Sequence, residues 1–332
     1  MDFGDIPSYN PPSVLGRVAL CSGSMNKNSS PSAKEINGLF ENSDPDLVWG
    51  SASSVIRRIS PGYDFALVSS IFADVLRIFR GEYPGYSAIK TLYHDLPHTM
   101  DVFLCSVRLM HGLHLSGPRL SNDELTKVMI ATLMHDIGYA QQHGEDNGTG
   151  AQFTLTHVTR GIAFMKHYLA ERNISAEFVA ALELMMYSTD LGVNFSEIDY
   201  PDDRTRMLGK LVGTADLTGQ MADRTYLEKL LFLYLEFKEA NFGNYANTYD
   251  MLCQTRNFYE ATRERLDGVF SRMYNNLNFH FKDTMGTERN YYLESIEKNI
   301  AYLSKVIALD EAEYLSMLKR GGIVEKSLAI AG

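Results

Sequence analysis

The chain has 332 residues, of which 45% are hydrophobic, and a formal net charge of −10. A chain of this length can bury a sizeable core, but its acidic balance argues against duplex nucleic acid as a partner, because that binding needs clustered Lys and Arg. Three scattered cysteines (Cys21, Cys105 and Cys253) exclude a disulfide framework and a Cys-x-x-Cys zinc pair. A cytoplasmic location without a membrane partner is expected, since no apolar run spans a bilayer and the first residues are acidic.

The first 60 residues differ in composition from the rest of the chain. Residues 1–60 are rich in Ser, Asn, Pro and Gly and show poor apolar periodicity. This composition predicts an irregular N-terminal arm, partly disordered or packed on a neighbour, with a short helix near residues 33–40. Two roles stay open for the arm: it covers a pocket, or it contacts a second copy of the chain in a homodimer.

Helical periodicity begins near Tyr63, where apolar residues recur every three or four positions as far as Phe79. The next helix is predicted to begin near Asp95. A third follows Ser121, which has Glu124 three positions later in the pattern of a capping box.

Further helices are predicted over 155–170, 176–187, 205–217, 224–240, 258–277 and 292–309. The segment 141–150 is polar and contains glycine, which predicts a loop. We find no strand-like alternation, internal repeat or glycine-rich phosphate loop. The predicted class is therefore all-α, with one helical domain over 61–320 and a C-terminal tail over 321–332.

Imidazole and carboxylate side chains occur in three separated segments: His98, the adjacent pair His135 and Asp136, and Asp216. Such mixed nitrogen and oxygen ligands suit divalent ions such as Zn, Mg, Mn or Fe. Adjacent helical residues diverge by about 100°, so His135 and Asp136 reach one ion only if it lies beyond the edge of their helix. A buried His–Asp hydrogen bond is the alternative for this pair alone. Because two other segments also carry candidate ligands, a site for one or two metal ions is favoured over that hydrogen bond.

Over roughly residues 85–240, this order of His, His-Asp and Asp on successive helices resembles the HD-domain superfamily of metal-dependent phosphohydrolases. The segment Y-H-x-x-x-H-x-x-D-V from Tyr93 resembles the first signature of class I cyclic nucleotide phosphodiesterases. The segment T-A-D-L from Thr214 resembles their last metal-ligand segment. The resemblance implies that 61–320 forms an HD-type helical bundle with phosphohydrolase activity.

The resemblance also implies roles for individual residues. His98, His135, Asp136 and Asp216 would bind the first of two divalent ions, and Asp136 would bridge to the second. His94 would be the general acid that protonates the leaving oxygen, against the alternative of a surface histidine before a helix.

The chain departs from the phosphodiesterase pattern just after Asp136. Those enzymes have another histidine and a Pro-Gly there, whereas this chain reads I-G-Y-A from Ile137. They also hold the purine with a glutamine shortly before a phenylalanine. Gln254 stands near that place with the spacing off by one, and a glutamine on a helix surface is its alternative.

Two further residues are candidates for contact with the substrate. His157, followed by Gly161, fits the position where other HD hydrolases carry a histidine that contacts the second ion or the phosphate; a capping or core histidine is the alternative. Arg160 is a candidate cation for the phosphate, against the alternative of a solvated charge.

The expected activity is hydrolysis of a phosphodiester, a small molecule of the cyclic nucleotide type. A metal-bridged hydroxide would attack phosphorus while His94 protonates the leaving oxygen. One alternative is a nucleotide phosphomonoesterase or another nucleotide hydrolase of the HD superfamily. The other is a non-catalytic HD signalling module.

Overall fold

A computed structural model describes residues 32, 36, 38–40, 42–145 and 147–331. In these ranges we number twelve α-helices: α1 (Pro45–Ile59), α2 (Ala66–Arg80), α3 (Leu96–Ser116), α4 (Asn122–Met134), α5 (His157–Ala170), α6 (Ala176–Tyr187), α7 (Asp203–Ala222), α8 (Tyr226–Glu239), α9 (Thr248–Glu264), α10 (Asn276–Met285), α11 (Tyr291–Val306) and α12 (Ile323–Ala331). No β-strand occurs in the described ranges, where Tyr86 and Gln142 form an isolated antiparallel bridge. The predicted all-α class is confirmed.

Short helical turns join several of these elements. The 3₁₀ turns are Ile137–Tyr139, Ala151–Phe153, Phe195–Glu197, Met273–Asn275 and Tyr314–Ser316, and Arg265–Val269 is a π-helix. The first two lie between α4 and α5, one on each side of the segment 141–150 that was predicted to be a loop.

Helix α3 lies at the centre of the bundle. Every residue from His98 to Leu113 is buried, and α1, α4, α7 and α10 all pack against it. A helix that is apolar around most of its circumference is enclosed on all sides by other helices. The first turn of α3 carries His98, so this candidate ligand begins inside the bundle.

The predicted helix starts at Asp95 and Ser121 are confirmed. The Asp95 carboxylate accepts a hydrogen bond from the His98 N–H at 2.8 Å. Ser121 Oγ accepts from the Glu124 N–H, and the Glu124 carboxylate accepts from the Ser121 N–H, which completes the capping box.

The predicted irregular arm is wrong for residues 45–59, which form α1 and pack against α3. Asp44 caps this helix, and the Trp49 ring lies 4.9 Å from the Phe72 ring in the core. Serines and glycine between the apolar positions obscured the helical period. The helix predicted near residues 33–40 falls largely outside the described residues.

Two other boundaries differ from the prediction. The helix predicted over 258–277 begins at Thr248 as α9 and is interrupted before α10, because Ser271 and Arg272 both adopt a φ of 54°. The predicted tail contains α12, which packs against α8. Helices of the described ranges all lack the combination of length and apolar character that a bilayer crossing requires.

The interface of α3 and α10 contains a buried pair of histidines. His111 Nδ1 lies 3.0 Å from His280 Nδ1, and the two side chains are almost completely buried. One imidazole must accept this hydrogen bond, so at least one ring is neutral. Burial lowers the pKa of His280 well below its ordinary value of 6.5, and the nearby Arg108 guanidinium acts in the same direction.

We expect acid to destabilise the fold through His280. Because its pKa is lower in the folded state, the unfolded chain takes up the proton first as the pH falls below about 6.5. The free energy of unfolding should then fall by up to about 1.4 kcal/mol per pH unit. Urea unfolding at pH 7.5 and pH 5.5 should show a smaller loss for His280→Gln than for the wild type.

His167→Gln is the matched control, because the His167 side chain is 80% exposed. This variant should keep the wild-type pH dependence. An equal loss of stability on acidification in His280→Gln and the wild type would contradict the prediction.

Candidate metal centre

His135 and Asp136 lie where α4 ends, which resolves how adjacent residues can face one point. The helix ends at Met134, and Asp136 has left helical geometry with φ −103° and ψ 5°. His135 Nδ1 lies 2.8 Å from the Thr132 carbonyl. A carbonyl only accepts, so Nδ1 carries the proton and Nε2 is the atom that faces the neighbouring side chains.

Asp216 reaches the same point because α7 lies very close to α3. A side chain at Gly219, one turn after Asp216, would lie 3.3 Å from the backbone of Val102. Glycine at this position therefore allows the two helix backbones to approach. Asp216 on α7 is brought to His98 on α3 by that approach.

The four predicted ligands converge. His98 Nε2 lies 3.3 Å from His135 Nε2, and both nitrogens lie 3.2 Å from Asp136 Oδ2. Asp216 Oδ1 lies 3.6 and 3.7 Å from the same two nitrogens. Ligands bound at about 2.0–2.2 Å to one ion lie roughly 3.0–3.5 Å from one another. The group His98, His135 and Asp136 could thus hold a metal ion, and Asp216 is close enough to join it.

The buried atoms of this cluster also fit a cation. Asp136 Oδ2 is buried and makes no hydrogen bond of good geometry among the described residues, although two histidine nitrogens lie 3.2 Å from it. Burial lowers the pKa of His135, but Asp136 and Asp216 outweigh burial and raise this pKa to about 9. Burial opposes ionisation of Asp136, yet His135 and the other imidazoles hold its pKa well below its usual range. The cluster therefore favours positive charge, which a bound metal ion would supply in place of a proton.

His94 lies beside the cluster and is held by Glu236 on α8. The Glu236 carboxylate lies 2.7 Å from His94 Nδ1 and accepts a hydrogen bond from the Tyr93 N–H at 2.6 Å. Burial lowers the pKa of His94, but Glu236, with smaller contributions from Asp136 and Asp216, raises this pKa overall. Glu236 was not found in the sequence. It is one acidic residue in a leucine-rich helix, 142 positions from His94, with no local pattern to connect the two.

His157, the first residue of α5, contacts the opposite oxygen of Asp136. His157 Nε2 lies 3.6 Å from Asp136 Oδ1, and its Nδ1 lies 2.6 Å from the Thr154 carbonyl. Its ring is therefore aimed at the cluster. Burial lowers the pKa of His157, which favours the neutral form that binds metals.

Arg160 and Gln254 are not linked to the cluster by a described contact. Arg160 donates to the carbonyls of Gly138 and Ala140 and pairs with Glu145, so it braces the loop after the cluster. Gln254 is exposed on α9 and donates to Asp250. Their predicted contacts with phosphate and base stay predictions.

Gly138 sets the distance between the cluster and His157. A Cβ at position 138 would lie 1.8 Å from the His157 carbonyl oxygen and 2.7 Å from the Gly161 nitrogen. Both are backbone atoms, so Gly138→Ala must push α5 away from Asp136. We expect a loss of about 1–3 kcal/mol in the free energy of unfolding, measured by urea denaturation, together with weaker metal retention.

Gly62→Ala is the control for this prediction, since no atom lies within 4 Å of a Cβ at position 62. Its effect should stay within about 0.5 kcal/mol. Wild-type stability and metal content in Gly138→Ala would contradict the proposed role of this close contact.

The sequence model of the Npun_R2479-like family matches residues 84–265, more than half of the chain. The chain belongs to the Npun_R2479-like family. A search of curated proteins gives no match. The Npun_R2479-like region contains every residue of the cluster together with His94, His157 and Glu236, whereas α1, α2 and α10–α12 lie outside it.

Proposed function

We propose that this protein is a metal-dependent phosphohydrolase that cleaves a small phosphodiester, of the cyclic nucleotide type. The observation that carries the proposal is the convergence of His98, His135, Asp136 and Asp216, whose donor atoms lie within 3.7 Å of the two histidine nitrogens. The resemblance of this set to the HD-domain phosphohydrolases supports the reaction class. The segment from Tyr93 to Val102 supports a cyclic nucleotide as the substrate.

These four residues would hold the first of two divalent ions, and Asp136 together with His157 would contact the second. When bound, such ions neutralise phosphoryl charge and acidify water, which is the chemistry that phosphate ester hydrolysis needs. Zn, Mg, Mn and Fe all suit this donor set.

The chain's own residues supply the proton for the leaving group. Glu236 raises the pKa of His94, which favours its protonated form, and His94 Nδ1 lies 2.7 Å from that carboxylate. Its Nε2 is then the atom that can donate to the departing alcohol oxygen. General acid catalysis of this kind contributes roughly 10²- to 10⁴-fold.

The substrate is proposed to approach past His94 and His157. Their side chains are 17% and 20% exposed, whereas those of His98, His135 and Asp136 are at most 4% exposed. A phosphate that enters between these two imidazoles would reach the proton donor His94 and the Asp136 carboxylate at the same time.

A reducing compartment such as the cytoplasm is proposed as the location. The two cysteines in the described ranges, Cys105 and Cys253, are both free thiols, as expected where disulfides are kept reduced.

A panel of phosphoesters tested with several added metals is the decisive experiment. We expect the purified protein to retain metal, and to hydrolyse a cyclic nucleotide with Mn, Mg, Zn or Fe and not in the presence of a chelator. Faster turnover of a nucleoside monophosphate would instead favour a nucleotide phosphomonoesterase. If the protein retains no metal and hydrolyses no phosphoester with any metal, the proposal is contradicted and a non-catalytic HD module is the remaining alternative.

A further inference from the structure

Tyr139 lies against two imidazoles of the candidate site. Its ring centroid is 4.8 Å from that of His94 and 4.6 Å from that of His157, with interplanar angles of 20° and 14°. The side chain is fully buried, yet it does not belong to the contiguous hydrophobic core. Tyr139 therefore packs against imidazoles of the candidate site, whereas a tyrosine in the hydrophobic core packs mainly against aliphatic side chains.

Each of these imidazoles is held by one hydrogen bond at Nδ1. His94 Nδ1 meets the Glu236 carboxylate at 2.7 Å, and His157 Nδ1 meets the Thr154 carbonyl at 2.6 Å. A single hydrogen bond fixes one atom of a ring but leaves the ring plane free to tilt. The Tyr93 ring also meets His94 edge-on at 5.0 Å. Tyr139 lies parallel to both imidazoles and so restricts the tilt of both rings.

The position of Tyr139 is tied to the cluster through the backbone. Tyr139 ends the 3₁₀ turn that follows Asp136 directly. The close contact of Gly138 with the His157 backbone fixes this turn against α5. The Tyr139 ring and the Asp136 carboxylate therefore belong to the same short segment of the chain.

We propose that Tyr139 is a positioning residue that aligns His94 and His157 around Asp136 through the faces of its ring and not through its hydroxyl. The proposal deepens the proposed function, on which its kinetic part rests. It assigns Tyr139 no contact with substrate. It predicts that any flat aromatic ring at this position suffices and that an aliphatic side chain does not.

Histidine NMR on the full-length, zinc-loaded protein tests the alignment without an activity assay. The ring C–H bonds of His94 and His157 should have the high NMR order parameters of rigid groups, and Tyr139→Phe should keep these values. Tyr139→Leu should lose them in both histidines. Tyr259→Leu, in a separate cleft with Arg263 and Glu297, is the matched control and should leave them unchanged.

Kinetics provide the second readout. Tyr139→Leu should lose about 10- to 100-fold in kcat on a diester with an alcohol leaving group, with unchanged metal content and a KM within about twofold. Tyr139→Phe should stay within about twofold of the wild type. If Tyr139→Leu fails to fold, Tyr139→Met, which is apolar and unbranched, replaces it.

Each outcome decides the proposal. Equal losses in Tyr139→Phe and Tyr139→Leu would assign the effect to the hydroxyl and overturn it, as would unchanged histidine order parameters in the aliphatic variant. If the wild type hydrolyses no phosphoester, the proposed function fails, while the NMR comparison still decides whether Tyr139 aligns the two rings.

Discussion

Asp136→Asn is expected to abolish metal retention and phosphodiester turnover together. Asp136 Oδ2 lies 3.2 Å from both histidine nitrogens, and Asp136 Oδ1 lies 3.6 Å from His157. No other side chain in the described cluster contacts both the His98–His135 pair and His157. An amide of the same shape lacks the negative charge and the second anionic oxygen with which this carboxylate would bind the ions.

Elemental analysis of the purified variant and a phosphodiester assay measure this prediction. Asp199→Asn, an exposed aspartate beyond α6, is the control and should keep wild-type metal content and rate. Far-UV circular dichroism separates loss of the ion from loss of the fold. Hydrolysis at the wild-type rate by Asp136→Asn would show that the metal assignment is wrong.

His94→Gln should keep the metal and lose roughly 10²- to 10⁴-fold in turnover on diesters with an alcohol leaving group. The loss should be small for a nitrophenolate leaving group, which departs without a proton. The metal should be retained because His94 lies beside the four candidate ligands and not among them, with its Nδ1 held by Glu236. The ratio of the two rates, compared between variant and wild type, measures the effect.

The pH dependence of the wild type provides a further test of His94. Its raised pKa means that the proton donor is present at low pH and is lost as the pH rises through that value. Glu236→Gln removes the carboxylate that contributes most to raising the pKa of His94. The fall in rate should therefore move to lower pH. An unchanged pH profile in Glu236→Gln, or equal losses on both leaving groups in His94→Gln, would contradict the role of general acid.

Short-range features were predictable from the sequence. The caps at Asp95 and Ser121 follow from residues three positions apart, and the structure contains both. Helix α1 was missed, since Ser51, Ser53 and Ser54 lie between its apolar residues along the sequence. In the structure its buried face packs Trp49 against Phe72.

Within the site, the same division holds. The four candidate ligands could be picked out because each lies in a recognisable local motif. Glu236 and Tyr139 could not be assigned roles, because their contacts with His94 depend on how α8 and the turn after α4 pack. The contact predicted for Gln254 stays a prediction, since this side chain donates to Asp250 on its own helix.

The amino-acid sequence by itself determined the helical class, most helix starts and the identity of the metal-binding candidates, because periodicity, caps and motif spacing are properties of neighbouring residues. Only the tertiary structure decided that these candidates share one point in space and that His94 is paired with a carboxylate. The convergence depends on the close approach of backbones at Gly138 and Gly219, and the pairing of His94 depends on how α8 packs. Such distances arise from packing between segments far apart in the chain.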